Sequence, residues 1–441
     1  MSSLTTINSF LQARIHERQS RHCIQKLQEK KLTRLLHYAY THSPFYHTLY
    51  ADHGITDQTI RSTPLHHLPS VDKQMIMDHF DDVLTTKDCT KQHLLQFLET
   101  TPAPTALFQN RYHVVHTSGS TGDLGIFITT KREWDYFFPY ITRVFPFHFT
   151  KQKSVFFGAI DGHYLGASFS SWLNIGLSRF FTKSLLLDIT KPLQQQIHQL
   201  NAYQPQILGG YFTGLKILAD QQQQGTLHIQ PEVIVNCGEC VIPQDQQIIQ
   251  EVFQAPLMNL YGLAECPILG VGKPDYDGIY LMDDLAIVET DGQHCYLTNL
   301  YNYTQPLIRY QLTDMITKTD RHATHLPFSI VESIIGRTEQ LLWLHTATGE
   351  REFIHPIVIV EFYVKGVTKH QIRKTSDTSF DFYAVLSTSE VSNTKHKISE
   401  KLTKILQEKH LDNVSFTIHL VDDLPINTTT GKFQLIIDET A

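Results

Sequence analysis

Residues 7–50 are rich in Leu, Gln, Lys, Arg and His, with no Gly or Pro before Pro44. That pattern predicts a helix, with Ser43-Pro44 as its end. Pro64 and Pro69 mark turns, and a further helical stretch is expected near 72–84. The character then changes. Tyr112-His-Val-Val-His116 and Ile126-Phe-Ile-Thr-Thr130 are β-prone, and a Gly/Ser/Thr loop, Thr117-Ser-Gly-Ser-Thr-Gly122, lies between them. From 131 to 336, apolar strand-like runs alternate with helical stretches. Ser154–Gly158, Gln206–Gly209, Val233–Asn236 and Leu285–Glu289 read as strands, and Gln194–Leu200 and Gln244–Phe253 as helices between them. Alternation of this kind predicts a layered α/β domain. After Arg337 the pattern shifts again. Phe380–Leu386 and Val414–Leu420 read as strands, and between them Ile398, Leu402, Ile405 and Leu406 share one helical face. The expected architecture is a large multi-layer α/β unit over 1–336, with β-sheets flanked by helices, followed by a small α+β unit over 337–441.

Composition narrows the function classes. Hydrophobic residues make up 41% and charged residues 18% of the 441, enough for a large core and too apolar for a disordered tail. The net charge of −7 lacks the basic face that nucleic-acid binding needs. No apolar run is long enough to span a bilayer, and the start lacks a basic then apolar leader, so neither a membrane span nor secretion is expected. Six cysteines form no disulfide framework, which fits a reducing cytoplasm. Cys237 and Cys240 form one C-x-x-C pair without a second, leaving a redox or half-zinc motif and a coincidental spacing both open.

Five stretches carry candidate chemistry. In Thr117, Ser118, Gly119, Ser120, Thr121 and Gly122, small residues let backbone N–H groups and hydroxyls close around a polyphosphate. No Gly-Lys-Ser/Thr follows, so this is not a Walker loop. In Tyr261-Gly262-Leu-Ala-Glu265, the tyrosine offers a flat face to a purine and the glutamate can hold Mg2+ beside phosphates. In Pro306-Leu-Ile-Arg-Tyr-Gln-Leu-Thr-Asp314, a carboxylate after an apolar strand can accept two hydrogen bonds from a ribose diol. Ile335-Gly-Arg337-Thr-Glu339 sits where the composition shifts. Leu424-Pro-Ile-Asn-Thr-Thr-Thr-Gly-Lys432 ends in a lysine able to place one positive charge on a phosphate oxyanion. Each has a duller alternative: a flexible turn, an ordinary strand end, a solvated basic residue.

The order of the five resembles the adenylate-forming superfamily of acyl-CoA synthetases, adenylation domains and luciferases, over about residues 110–435. The short lead before the phosphate loop and the form Pro-Leu-Ile-Arg-Tyr look most like its phenylacetate–CoA ligase branch, in which Asn236-Cys-Gly-Glu-Cys240 also has a counterpart. The resemblance implies two half-reactions. A carboxylate attacks the α-phosphate of Mg-ATP to give an acyl-adenylate, and a thiol, usually that of coenzyme A, then displaces AMP. It assigns Thr117–Gly122 to the phosphates, Tyr261, Gly238 and Glu239 to the adenine, Glu265 to Mg2+, Asp314 to the ribose with Arg337 nearby, and Lys432 to the carboxylate and α-phosphate. It makes Glu339 the hinge of a mobile C-terminal unit, the substrate a small carboxylic acid, and a homodimer an expectation, since dimers are common in that branch.

The chain also departs from the pattern. The phosphate loop continues Gly122-Asp-Leu-Gly125 without the usual proline or lysine, Ala264 replaces a hydroxyl residue, and Glu339-Gln340 replaces paired aspartates. Three readings follow. One is a ligase of a small, aromatic acid with coenzyme A. The second is an adenylating enzyme that loads a separate carrier protein's phosphopantetheine or another protein thiol. The third is a nucleotide-binding homologue without turnover. Phe156, Phe157, Gly158, His163, Tyr164 and Trp172 fall where the acyl pocket belongs, but they read equally well as core aromatics and their neighbours.

Overall fold

The computed structural model describes residues 3–117, 124–144, 150–291, 294–319, 323–335, 341–360, 362, 364–387, 390–424 and 434–440. Three helices open the chain: α1 (Ser3–His16), α2 (Arg21–His42) and α3 (Pro44–Asp52). The single predicted helix is broken at Ser20, whose side chain caps α2 by accepting from Cys23 N. Pro44 starts a helix rather than ending the helical region. It occupies the first turn of α3, where its missing N–H costs nothing, and Ser43 caps that turn at Tyr46 N. The predicted 72–84 stretch is two short pieces, α4 (Lys73–Asp78) and α5 (Phe80–Val83), followed by α6 (Lys91–Thr100).

The two strands predicted on either side of the hydroxyl-rich loop are present, and they form a pair. Strands β1 (Tyr112–Thr117) and β2 (Gly125–Thr130) pair antiparallel, with Thr117 opposite Gly125. Helix α7 (Lys131–Phe137) follows, and then β3 (Gln152–Gly158), α8 (Leu165–Trp172), β4 (Thr182–Asp188), α9 (Leu193–Tyr203), β5 (Ile207–Gly210), α10 (Phe212–Gln223), β6 (Val233–Cys237), α11 (Pro243–Phe253) and β7 (Leu257–Leu263). Strands β4, β3, β5, β6 and β7 are parallel neighbours in that order. Next come β8 (Cys266–Gly272), β9 (Ile279–Leu281), β10 (Ala286–Thr290), β11 (Cys295–Asn299), β12 (Tyr310–Leu312), β13 (Met315–Lys318) and β14 (Ile330–Ile335). Among the described residues, the main sheet runs β13-β14-β9-β8-β7-β6-β5-β3-β4, and β10-β11-β12 form a separate sheet.

The remainder contains the hairpin β15 (Leu342–His345) and β16 (Arg351–Ile354), α12 (Pro356–Val360), β17 (Val367–Ser376), β18 (Ser379–Leu386), α13 (Val391–Glu408), β19 (Ser415–Leu420) and β20 (Ile436–Asp438). Strands β19-β18-β17-β20 form one sheet, on which α13 buries Ile398, Leu402 and Leu406. The sequence places these three on one stripe, and their burial gives that stripe a core to face. Phe353 of β16 leaves this core and packs among Ile189, Leu193 and Phe212 of the parallel-sheet core. The buried Lys409 ammonium pairs with Glu352 at 3.2 Å, and Glu352 also accepts from Leu193 N at 2.9 Å. Among the described residues, no helix is long and apolar enough to cross a membrane.

Candidate active site

Parallel strands collect ligand-binding groups at their carboxyl ends, where the crossover loops diverge. Here β6 and β7 end side by side, with Cys237 opposite Leu260. Tyr261 follows Leu260 in β7, with Gly262 after it at an irregularity of the β7–β8 register. The Tyr261 hydroxyl donates to Asp314 Oδ2 at 2.9 Å. Asp314 lies just past β12, so this bond joins the main sheet to the β10–β12 sheet. Ala264 and Glu265 make the tight turn into β8. Tyr310 of β12 donates its hydroxyl to Glu265 Oε1 at 2.9 Å, and Asn299 Nδ2 donates to the Glu265 backbone oxygen at 2.9 Å.

Burial, then the adjacent carboxylates, drive both phenols far above their ordinary range, so each stays protonated and acts as a donor. Burial also raises the Glu265 carboxyl. Its own N–H, Tyr310 and the Lys73 charge oppose that rise without cancelling it, and Asp314 adds to it. Asp314 is thus near enough to disfavour the charged form of Glu265.

A second cluster lies after β6. Gly238, at φ 84°, turns the chain so that Glu239 points back towards α10. Thr213 donates to Glu239 Oε2 from its backbone N at 2.8 Å and from Oγ1 at 2.9 Å. His355, just past β16, sits 3.1 Å from Glu239 Oε1 and 2.7 Å from Thr213 Oγ1, with its ring 5.2 Å from that of Tyr211. Burial alone would raise the Glu239 carboxyl. The contacts with His355 and Thr213 outweigh it and hold the group below the usual carboxylate range.

Thr117 ends β1, and its Oγ1 is buried with no hydrogen-bond partner among the described residues. Ser118, Gly119, Ser120, Thr121, Gly122, Arg337, Glu339 and Lys432 lie outside the described residues. The structure thus brings together Tyr261, Glu265 and Asp314, and separately Gly238 and Glu239. Sequence reasoning missed Tyr310, Thr213 and His355. Tyr310 was within reach, because it lies inside the motif that supplied Asp314. No local pattern marks Thr213 or His355.

The aromatic candidates for an acyl pocket divide. Phe157 and Trp172 are ordinary core residues. His163 Nε2 donates to Thr101 O at 2.6 Å. Tyr164 lies edge-on to His116 at 4.4 Å. The C-x-x-C pair forms no disulfide, and its thiols are aimed at different carbonyls, Gly210 for Cys237 and Ile334 for Cys240. Burial pushes the Cys237 thiol up to about 12, which leaves it inert. Among the described residues, no group of three His, Cys, Asp or Glu forms a metal cluster. Mg2+ asks for less: one or two carboxylates, with water and phosphate oxygens completing its shell, a donor set that Glu265 fits.

No protein-family model matches the chain. It is 21% identical over 434 residues to Protein CapK of Staphylococcus aureus, covering 94% of this chain and 89% of that protein. It is 27% identical over 163 residues to Indoleacetate–lysine synthetase of Pseudomonas savastanoi, 34% of this chain and 41% of that protein's length. Among solved structures, 2-hydroxyisobutyryl-CoA ligase with 2-HIB-AMP and CoA in the thioesterification state superposes with a TM-score of 0.62 at 17% identity, over 96% of this chain and 91% of that one. The open conformation of the same ligase gives 0.55 at 18% identity, over 93% and 91%. Paired with the convergence of Tyr261, Glu265 and Asp314, this likeness identifies the chain's fold as that of the adenylate-forming superfamily.

Proposed function

We propose that the chain is an AMP-forming ligase of the phenylacetate–CoA ligase-like kind, activating a small, aromatic carboxylic acid with Mg-ATP and passing the acyl group to the thiol of coenzyme A. The observation that carries this is the Tyr261–Asp314 hydrogen bond beside the Glu265–Tyr310 pair. One contact ties a flat aromatic ring to a carboxylate, so a purine against the ring puts its ribose diol within reach of Asp314. Gly238 and Glu239 border the adenine, Arg337 assists at the ribose, and Thr117–Gly122 hold the phosphates. In this reading 1–336 forms the nucleotide and acyl unit and 337–441 the mobile unit carrying Lys432, with Glu339 as hinge.

The acid and the α-phosphate are both anionic, so attack needs positive charge at the reacting oxygens. Lys432 supplies one such charge. Glu265 would hold Mg2+, which would supply neutralisation of phosphate charge. Removing one such contact costs about 3 kcal/mol in the barrier, roughly a hundredfold in rate.

A panel of aryl, fatty, hydroxy and amino acids in ATP–pyrophosphate exchange tests the reading. Exchange above background with one class supports it, and background rates throughout sink it. The relative named as an indoleacetate–lysine synthetase supports a second reading, transfer to an amine. Presenting the preformed adenylate with coenzyme A, a phosphopantetheinyl carrier or lysine separates the acceptors.

A further inference from the structure

In sequence, the stretch between β1 and β2 ends Gly122-Asp-Leu-Gly125 and contains an aspartate and no lysine or arginine. The described site already holds two carboxylates, Glu265 and Asp314, yet the adenylation reading asks it to take a polyphosphate. A cation does arrive, from a distant part of the chain. Val71 N donates to Arg309 O at 3.1 Å and Gln311 N donates to Val71 O at 2.8 Å, stitching this segment alongside Tyr310. Asp72 caps α4 by accepting from Met75 N at 2.8 Å, and Ile126 N of β2 donates to Met77 Sδ at 3.5 Å. Helix α4 is thereby fixed between β12 and the β1–β2 hairpin, with Lys73 as its first residue.

The Lys73 side chain runs along the mouth of that hairpin. A Cβ added at Gly125 would sit 3.0 Å from Lys73 Cε and 2.5 Å from Thr117 Oγ1. Glycine at 125 is what lets the lysine stem and the threonine hydroxyl share this space. The Lys73 charge also favours the ionised form of Glu265. The lysine stem and a buried hydroxyl with no partner among the described residues therefore flank Gly125, with Glu265 within range of the lysine's charge.

Resting on the adenylation reading, we propose that Lys73 is a phosphate-binding residue: its ammonium holds an oxygen of the ATP polyphosphate beside Thr117 Oγ1, replacing the cation that the loop itself lacks. Lysine suits this as a compact charge with three donors that tolerates a shifting tetrahedral group. The alternative is a structural counter-ion that only offsets Glu265.

Calorimetric titration of the full chain with Mg-ATP and with adenosine distinguishes these. Lys73→Met is expected to weaken Mg-ATP by roughly tenfold to a hundredfold, the worth of one charge-assisted contact. Adenosine affinity should stay within about twofold, and Lys73→Arg should recover most of the ATP affinity. Gly125→Ala, which leaves every charge in place, should weaken ATP and spare adenosine as well. Unchanged ATP affinity in Lys73→Met, or equal losses for ATP and adenosine in both variants, would overturn the assignment. Wild-type protein that binds adenosine but gains nothing from the phosphates would overturn it while leaving a nucleoside site. Failure to bind either ligand would sink the adenylation reading with it.

Discussion

Glu239 and Glu265 follow the carboxyl ends of two adjacent parallel strands of the main sheet, and both are partly buried, yet their carboxyls are driven in opposite directions. Glu239 is closed on itself: Thr213 gives it two hydrogen bonds and His355 a third contact, so the charged form is favoured despite burial. Glu265 receives one phenol and a lysine's partial help, and burial wins. Equal chemistry in unequal company gives two functions. Glu239 clasps the segment after β16 to the end of β6, whereas in the proposed reading Glu265 would have its charge completed by a cation arriving with the nucleotide. The price of holding Glu265 ready is stability in the nucleotide-free protein.

The largest expected effect bears on that asymmetry. Glu265→Gln should lower ATP–pyrophosphate exchange about a hundredfold or more. The same substitution should raise the melting temperature of the nucleotide-free protein at neutral pH. The sign follows from linkage. A carboxyl raised in the folded state costs stability once it must ionise, and that cost disappears as pH falls through the raised value. The melting-temperature gain should therefore shrink on acidification.

Asp314→Ala comes next. Loss of a charged acceptor for the ribose should cost about 2 kcal/mol, roughly thirtyfold in Mg-ATP affinity. Tyr261→Phe should cost less, because it keeps the ring and removes only the hydrogen bond orienting Asp314.

Glu239→Gln should behave opposite to Glu265→Gln, destabilising the fold by about 1–2 kcal/mol at neutral pH. A depressed carboxyl contributes stability that is complete above its unfolded value of 4.5 and is lost as pH falls through the lower folded one. The difference between wild type and Glu239→Gln should fade below about pH 4.5 in paired thermal melts, and His355→Ala should reproduce much of the neutral-pH loss. Two glutamates shifting in the same direction would erase the contrast. At the small end, Cys240→Ser should alter neither bound zinc nor exchange rate, since the two thiols face different carbonyls.

Much of the fold was legible locally. The alternation of apolar runs and helical stretches gives β3, β5, β6, α9 and α11, and the stripe Ile398, Leu402, Leu406 gives α13, because periodicity reports which face of an element is covered. Pro44 misled, since a proline that ends one helix also fits the first turn of the next. Of the candidate site, Tyr261, Glu265 and Asp314 were legible as residue types inside ordered motifs. Their bonding was not: Tyr261 meets Asp314, and Tyr310 meets Glu265, only because β12 returns beside the β7–β8 turn.

The sequence by itself determined the elements and the order in which hydroxyl-rich loop, tyrosine, carboxylates and Gly-Lys loop occur. These are properties of neighbouring residues, set by backbone sterics and side-chain periodicity. The tertiary structure decided which groups share a space. The Lys73 stem and the Thr117 hydroxyl meet beside Gly125 because a two-bond stitch to β12 sets α4 there, and His355 reaches Glu239 because Phe353 packs into the parallel-sheet core. Such meetings depend on strand order and on buried contacts between distant segments. No local pattern encodes them, because the free energy that fixes them is released only when the separate cores close on one another.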